Sequence, residues 1–290
     1  MDNRDLQPLR DAGFDLIFSA PGRTPSEEEL RLLVPGIAGW LAGVEPISAS
    51  VIELATDLRV IARNGAGTDN VDHAAALAHG IVVTRAAGAN AQGVAELTLA
   101  LALACLRQVP WSAALLRDGT WERWPARELA ELTVGVVGLG AIGHKVARMF
   151  TALGAEVIGF DPYAPLQTIE TTSLEELLER SDVITLHSPP PEDGSPLIDA
   201  SKLGLAPEGA VLINTARASL VDDEAVLAAL VGEQLSAYAV DAFASEPPEL
   251  TPLLLHPRVL ATPHLGAFTT ASVSRATRAA VSSIIDTLGA

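Results

Sequence analysis

Residues 133–150 read TVGVVGLGAIGHKVARMF, and this stretch limits the fold more than any other. An apolar, β-branched run enters Gly138, glycines follow at 140 and 143, and a helical pattern begins at the third. A lone G-x-G-x-x-G arises often by chance, so the flanking strand and helix carry the weight. In that setting the first glycine permits a tight turn and the second lets the backbone approach a pyrophosphate. The third lets helix and strand pack closely, with the N–H groups at the helix start facing the anion. The next strand-like run, EVIGFDPY, places Asp161 eighteen positions after Gly143. An acid there meets ribose hydroxyls and repels a 2′-phosphate. Gly138, Gly140, Gly143 and Asp161 therefore predict a dinucleotide site that favours NAD over NADP.

A strand–loop–helix of this kind needs companions. FDLIF, LRVIAR and IVVT precede residue 90; TVGVVGL, EVIGFD, DVITLH, AVLINT, AYAVDA and RVLATP lie between 133 and 262. Helical patterns such as SLEELLER and DDEAVLAALVG separate them. Strands spaced by helices predict parallel sheets, and uniformly apolar runs suit sheets covered on both faces. At 290 residues the chain exceeds a usual single domain of roughly 100–150, so two α/β domains are expected. A long helical pattern at 91–109 and the turn-rich LLRDGTWERWPAREL divide the two strand groups. The last helical pattern, ASVSRATRAAVSSIIDTLGA, follows completion of the second sheet and can return to the first. The expected division is residues 1–88 with 268–290 against 89–267, with hinges near 88 and 267 and a cleft between.

The formal charge of −17 argues against nucleic acid or an anionic membrane as partner, since either needs a basic footprint. A small anionic substrate stays open, because a few arginines can dominate the field locally. The single cysteine, Cys105, rules out an intrachain disulfide and sits in the apolar run LTLALALACLRQ. That run has only about ten apolar positions, against the roughly 20 a spanning helix needs. MDNRDLQPLR lacks the basic and apolar regions of a signal peptide. A cytoplasmic setting is expected, and no metal.

In open parallel sheets ligands sit beyond the carboxyl ends of the strands. AVLINTARASLVDD leaves one strand and presents Arg217; AYAVDAFASEPPE presents Asp241 and Glu246; RVLATPHLGAF presents His264. Each alone is explicable as structure, as a surface cation, a solvated acid or a satisfied loop histidine. Together, beside one cofactor loop, they form the set that hydride transfer at a hydroxy acid requires. His264 can take the hydroxyl proton. Glu246 can hold the ring in one tautomer and favour imidazolium. Arg217 can grip a carboxylate in a bidentate fork. Pro263 and Gly266 can fix the turn and let backbone approach the cofactor.

The stretches NGAGTDNVD, VGLGAIG, INTARASLVDD, DAFASEPPE and TPHLGA, in this order, resemble the D-isomer-specific 2-hydroxyacid dehydrogenase family and within it the phosphoglycerate-dehydrogenase-like branch. The resemblance covers roughly residues 50–285. It implies a Rossmann nucleotide-binding domain and a smaller flavodoxin-like substrate domain, both doubly wound. It implies Arg217, Glu246 and His264 as the catalytic trio. It also implies amides of Ala141 and Ile142 on the pyrophosphate, Asp161 on the ribose, and Ser188, Thr215, Ala216 and Asp241 near the cofactor. The loop Arg63, Asn64, Gly65, Ala66, Gly67 and also Asn90 would contact substrate, and the long helix after residue 90 would serve a homodimer.

The chain departs from the family in three ways. The family opens with a strand before its first helix, whereas this sequence starts almost at the helix, which leaves the edge of the smaller domain in question. Ala218 stands where a glycine usually follows the arginine, and a positive φ there would cost an alanine energy. No regulatory domain is expected after Ala290. Lysine occurs only at 145 and 202, so a second anion on the substrate must meet arginine. Arg63, Arg85 and Arg123 are the candidates; in the phosphoglycerate branch positions like Arg63 and Arg123 resemble phosphate contacts, the latter from a partner subunit. The substrate is then 3-phosphoglycerate or a phosphonate analogue, with a simple acid such as glyoxylate or hydroxypyruvate still open. Two other functions resemble this scaffold: an NAD(H)-sensing corepressor-like interaction protein and a phosphite-type dehydrogenase.

Overall fold

The computed structural model describes residues 3–163 and 169–289. The chain divides into two compact units, Met1–Asn90 with Ala267–Ala290, and Ala91–Gly266.

The first unit holds three parallel strands, β1 (Gly39–Ala42), β2 (Val60–Arg63) and β3 (Val82–Arg85), in that spatial order. Side chains alternate across a strand, so β2 divides between two cores. Ile61 joins Leu30, Val34, Val51, Ile52 and Ile81 on one face. Val60 and Ala62 join Leu9, Ala280, Val281 and Ile284 on the other. The last three belong to the helix Thr270–Leu288, capped by the Thr269 side chain on Ser272 N–H, so the C-terminal helix is part of this unit.

One strand expectation fails here, and one strand comes unannounced. FDLIF forms no strand: Phe14 and Leu16 pack inward, but Ile17 and Phe18 are 65% and 59% exposed. Its in–out alternation suits an extended segment, yet no neighbouring strand supplies a hydrogen-bonding ladder. GWLA, which has little β-branched character, is a strand because β2 pairs with it, Gly39 opposite Val60.

The second unit holds seven strands: β4 (Thr133–Val137), β5 (Glu156–Phe160), β6 (Glu170–Thr171), β7 (Val183–Leu186), β8 (Ala210–Asn214), β9 (Leu235–Val240) and β10 (Val259–Ala261). The spatial order is β10-β9-β8-β7-β4-β5-β6 and every pairing is parallel. Val134, Val136, Val183, Val211, Ile213, Ala237 and Ala239 face a core with the helices Ala91–Leu106 and Gly143–Ala152. Val137, Ile184, Leu186, Leu212, Tyr238 and Val240 face the other, with Leu174–Arg180 and Asp223–Val231. The winding reverses between β4 and β7, and the crevice beyond their carboxyl ends is where such sheets bind ligands.

The apolar pattern at 91–109 does not make one helix. It ends at Leu106, Gln108 adopts left-handed φ of 52°, and Val109–Arg117 departs at 60°. Among the described residues no single helix is long and apolar enough to cross a membrane.

Candidate active site

The glycine loop opens from β4 into that crevice. Gly138 has φ of +91°, and a Cβ there would lie 2.6 Å from Ser188 N and 2.7 Å from the His187 carbonyl carbon. A Cβ on Gly143 would lie 1.9 Å from the Gly138 oxygen. Only glycine fits either position. Gly140 faces open space, and Ala141 beside it is exposed. Ile142 precedes the helix Gly143–Ala152 without a side-chain cap, so the first N–H groups of that helix have no side-chain acceptor at the cap. Asp161 follows β5 and braces the loop: Oδ2 accepts the Leu139 N–H at 2.8 Å and Oδ1 that of Tyr163 at 2.9 Å.

The end of β7 closes the other side. Ser188 Oγ is buried without a hydrogen-bond partner among the described residues. His187 keeps partial exposure as a residue, but its Nδ1 is buried and unpartnered, and burial pulls its pKa down to about 3. Its Nε2 contacts Thr185 Oγ1 at 2.9 Å. The ring therefore stays neutral, and sequence reasoning missed it because nothing in DVITLH announces burial.

Beyond β8 the turn carrying Arg217 is built on Asn214. Asn214 is fully buried; its Nδ2 donates to the Arg217 carbonyl at 2.8 Å and its Oδ1 accepts Ala216 N–H at 3.1 Å. Thr215 Oγ1 meets Thr98 Oγ1 at 3.0 Å, tying the turn to the helix Ala91–Leu106. Arg217 is half-buried in extended backbone, with Nη1 donating to the Ala216 carbonyl at 2.8 Å. Ala218 begins a 3-10 turn and has no positive φ, so its substitution for glycine carries no strain.

Beyond β9 and β10, two of the expected residues meet directly. His264 Nδ1 lies 2.6 Å from Glu246 Oε1. Both side chains are open to solvent, 49% and 42% exposed. His264 has φ of +51°, an uncommon conformation for a residue with a side chain, and its N–H donates to the Thr262 carbonyl at 2.8 Å. Asp241 is 2% exposed and accepts from the Gly266 N–H at 2.8 Å. A Cβ on Gly266 would press against that carboxylate at 3.1 Å and against Val94 at 3.2 Å.

The expected substrate residues fare differently. Arg63 is 8% exposed at the end of β2. Its Nε donates to the Gly67 carbonyl at 2.9 Å and its Nη1 to the carbonyls of Ala42 and Gly43. It fastens its own loop, because the carbonyls ending β1 and the turn at Gly67 surround it. In the rest of the loop, Ala86 N–H donates to the Gly65 carbonyl at 2.9 Å and Asn64 Oδ1 accepts from Thr277 at 3.4 Å; Ala66 is partly exposed. Asn90 Oδ1 is buried without a hydrogen-bond partner among the described residues. Arg85 and Arg123 are exposed, with no hydrogen bond or ion pair among the described residues.

Residues 99–266 match the family described as D-isomer specific 2-hydroxyacid dehydrogenase, NAD binding domain. The chain belongs to this family. It is 40% identical over 260 residues to D-3-phosphoglycerate dehydrogenase of Mycobacterium tuberculosis, covering 87% of this chain and 49% of that protein. It is 34% identical over 271 residues to hydroxypyruvate reductase of Thermotoga maritima, covering 91% and 89%. The TT0316 protein from Thermus thermophilus has a similar crystal structure: TM-score 0.92, 36% identity, 99% of this chain and 94% of that one. The chain spans about half the length of the phosphoglycerate dehydrogenases it matches. The residues present suit the family's NAD. Two glycines line the loop where any Cβ would collide, Gly140 faces open space, and the buried Ser188 hydroxyl beside the loop lacks a partner.

Proposed function

We propose that this chain is an NAD-dependent oxidoreductase that interconverts a D-2-hydroxy acid and its 2-keto acid. The observation that carries this reading is the 2.6 Å contact of His264 Nδ1 with Glu246 Oε1, beyond the carboxyl ends of strands in the same parallel sheet whose β4 bears the glycine loop. An ionised carboxylate only accepts hydrogen bonds, so Nδ1 carries a proton and Nε2 is left to take or give one. During oxidation the substrate hydroxyl proton passes to His264 Nε2, and Glu246 offsets the charge on the imidazolium. During reduction Nε2 returns that proton to the keto oxygen. Arg217 holds the substrate carboxylate and polarises the neighbouring oxygen. NAD, when bound, accepts or donates the hydride. The amides of Ala141 and Ile142, Asp161, Ser188, Thr215 and Ala216 would hold it.

The substrate carries a second anionic group, a phosphate or phosphonate, for which Arg85 is one candidate partner and Arg123, from a partner subunit, another. Support comes from their exposure without partners among the described residues and from the scarcity of lysine. Arg63 is not offered for this role, since its guanidinium is tied to carbonyls. A homodimer would use the exposed side of Ala91–Leu106 and the helix after it, where Val109 and Leu116 are 55% and 58% exposed; light scattering reads its mass. The test of activity is NADH oxidation with a panel of 2-keto acids that includes phosphorylated and phosphonate members. Turnover that vanishes in His264→Ala and Arg217→Ala is the expected result. Tight NADH binding with no turnover across the panel overturns the reading and points to an NAD(H)-sensing protein.

A further inference from the structure

We propose that Asp241 is a positioning residue for His264: its carboxylate holds the left-handed turn that aims the imidazole. The family resemblance places this residue beside the cofactor, and its carboxylate also binds the turn that carries His264. Oδ1 accepts the Thr262 hydroxyl at 2.6 Å and the Leu265 N–H at 2.7 Å, and Oδ2 accepts the Gly266 N–H at 2.8 Å. Those three residues bracket His264 on both sides.

The geometry is that of an anion in a backbone nest. Successive N–H groups converge on one point when a residue in the turn is left-handed, and such a concavity binds negative charge. His264, at φ of +51°, is that residue, and the N–H groups of Leu265 and Gly266 converge on one carboxylate. A left-handed conformation costs a residue with a Cβ energy, so it persists only where its surroundings over-determine it. Asp241 supplies the determining charge from a rigid place. It is 2% exposed, and its own N–H continues the sheet by donating to the Asn214 carbonyl at 3.0 Å. The Thr262 N–H donates in turn to the Val240 carbonyl at 2.9 Å, so both ends of the clamp stand on β9. The imidazole so aimed reaches Glu246. Among the described residues Asp241 is the one carboxylate bonded to the turn's backbone N–H groups.

The inference rests on the reading of His264 as the acid/base, and its test separates the two. Asp241→Asn keeps the shape, removes the charge and turns an NH2 group toward at least one of the three donors. The expected result is a kcat lower by roughly 100-fold, the scale of a misplaced reacting group. The kcat is read at saturating NADH, so a change in cofactor affinity does not enter it. In the free enzyme, 15N imidazole NMR of His264 loses the signature of a protonated Nδ1 held by a carboxylate. Thr262→Val removes one donor and leaves the nest, so it shows the same pattern at a few-fold scale even where the asparagine variant is poorly folded. A His264 NMR signature left intact in Asp241→Asn overturns the proposal, whatever the NADH dissociation constant. A His264→Ala variant that keeps full activity overturns the functional reading alone, since the NMR signature of the clamp is read without turnover.

Discussion

The two sheets use the ends of their strands in opposite ways. In the smaller one Arg63 and Arg85 are the last residues of β2 and β3 and are paired in register. Yet Arg63 is buried against backbone carbonyls, while Arg85 stands exposed without a partner among the described residues. In the larger sheet two buried polar residues, Asn214 and Asp241, hold turns, and the groups those turns display are Arg217 and His264. A charged residue at a strand end is thus either a fastener or a displayed group. Which one depends on whether loose carbonyls or N–H groups surround it, and that is a property of the neighbouring strand.

Exchanging arginines between the two classes gives the sharpest contrast. Arg217→Met should lower kcat/KM by about 1,000-fold, near 4 kcal/mol of transition-state stabilisation, with little change in urea unfolding. Arg63→Met should do the reverse. It strands the buried Ala42 carbonyl and the partly buried carbonyls of Gly67 and Gly43 and should cost about 3 kcal/mol of stability, read from the urea midpoint, without a selective change in KM. An Arg63 variant that is stable but loses affinity for a phosphorylated substrate would break the comparison.

His187 tests whether the buried polar backing of the larger sheet matters to stability. Its folded pKa, near 3, lies below the ordinary histidine value of about 6.5. The unfolded chain therefore takes a proton that the folded one refuses as pH falls through that window. The stability is full above about pH 6.5 and declines below it. Between pH 7 and pH 5 the parent should lose about 2 kcal/mol more than His187→Gln, measured by urea unfolding at both values. Equal losses would mean the ring titrates freely.

Arg85→Ala should raise KM about tenfold for a substrate with a second anion and leave simple 2-keto acids unaffected, a difference of about 1.4 kcal/mol. The smallest effect concerns Cys105, 4% exposed and with its thiol pushed up to about 12 by burial. A disulfide reagent should label no thiol in the native protein and one after denaturation.

What could be read in the residues divides along the same line. The glycine loop was legible because local sterics demand it; Gly138 and Gly143 leave no room for a Cβ. The seven-stranded sheet was legible, apart from the two-residue β6, because its strands are strongly apolar runs between helices. His264 and Glu246 were legible as a pair of strand-end residues, and they meet. The first unit was harder. FDLIF has a strand's composition and no partner, while GWLA has the partner and not the composition. Asn214, His187 and the burial of Arg63 depend on contacts across the sheet or around a loop, and a linear pattern carries no trace of them.

The central claim is that His264, held by Glu246, exchanges a proton with a 2-hydroxy or 2-keto acid while NAD exchanges the hydride. The most direct measurement is single-turnover NADH oxidation with saturating 2-keto acid, comparing the parent with His264→Ala at equal cofactor occupancy. The account predicts NADH bound equally by both and a hydride-transfer rate at least about 100-fold slower in the variant. Equal rates in the two proteins would contradict it.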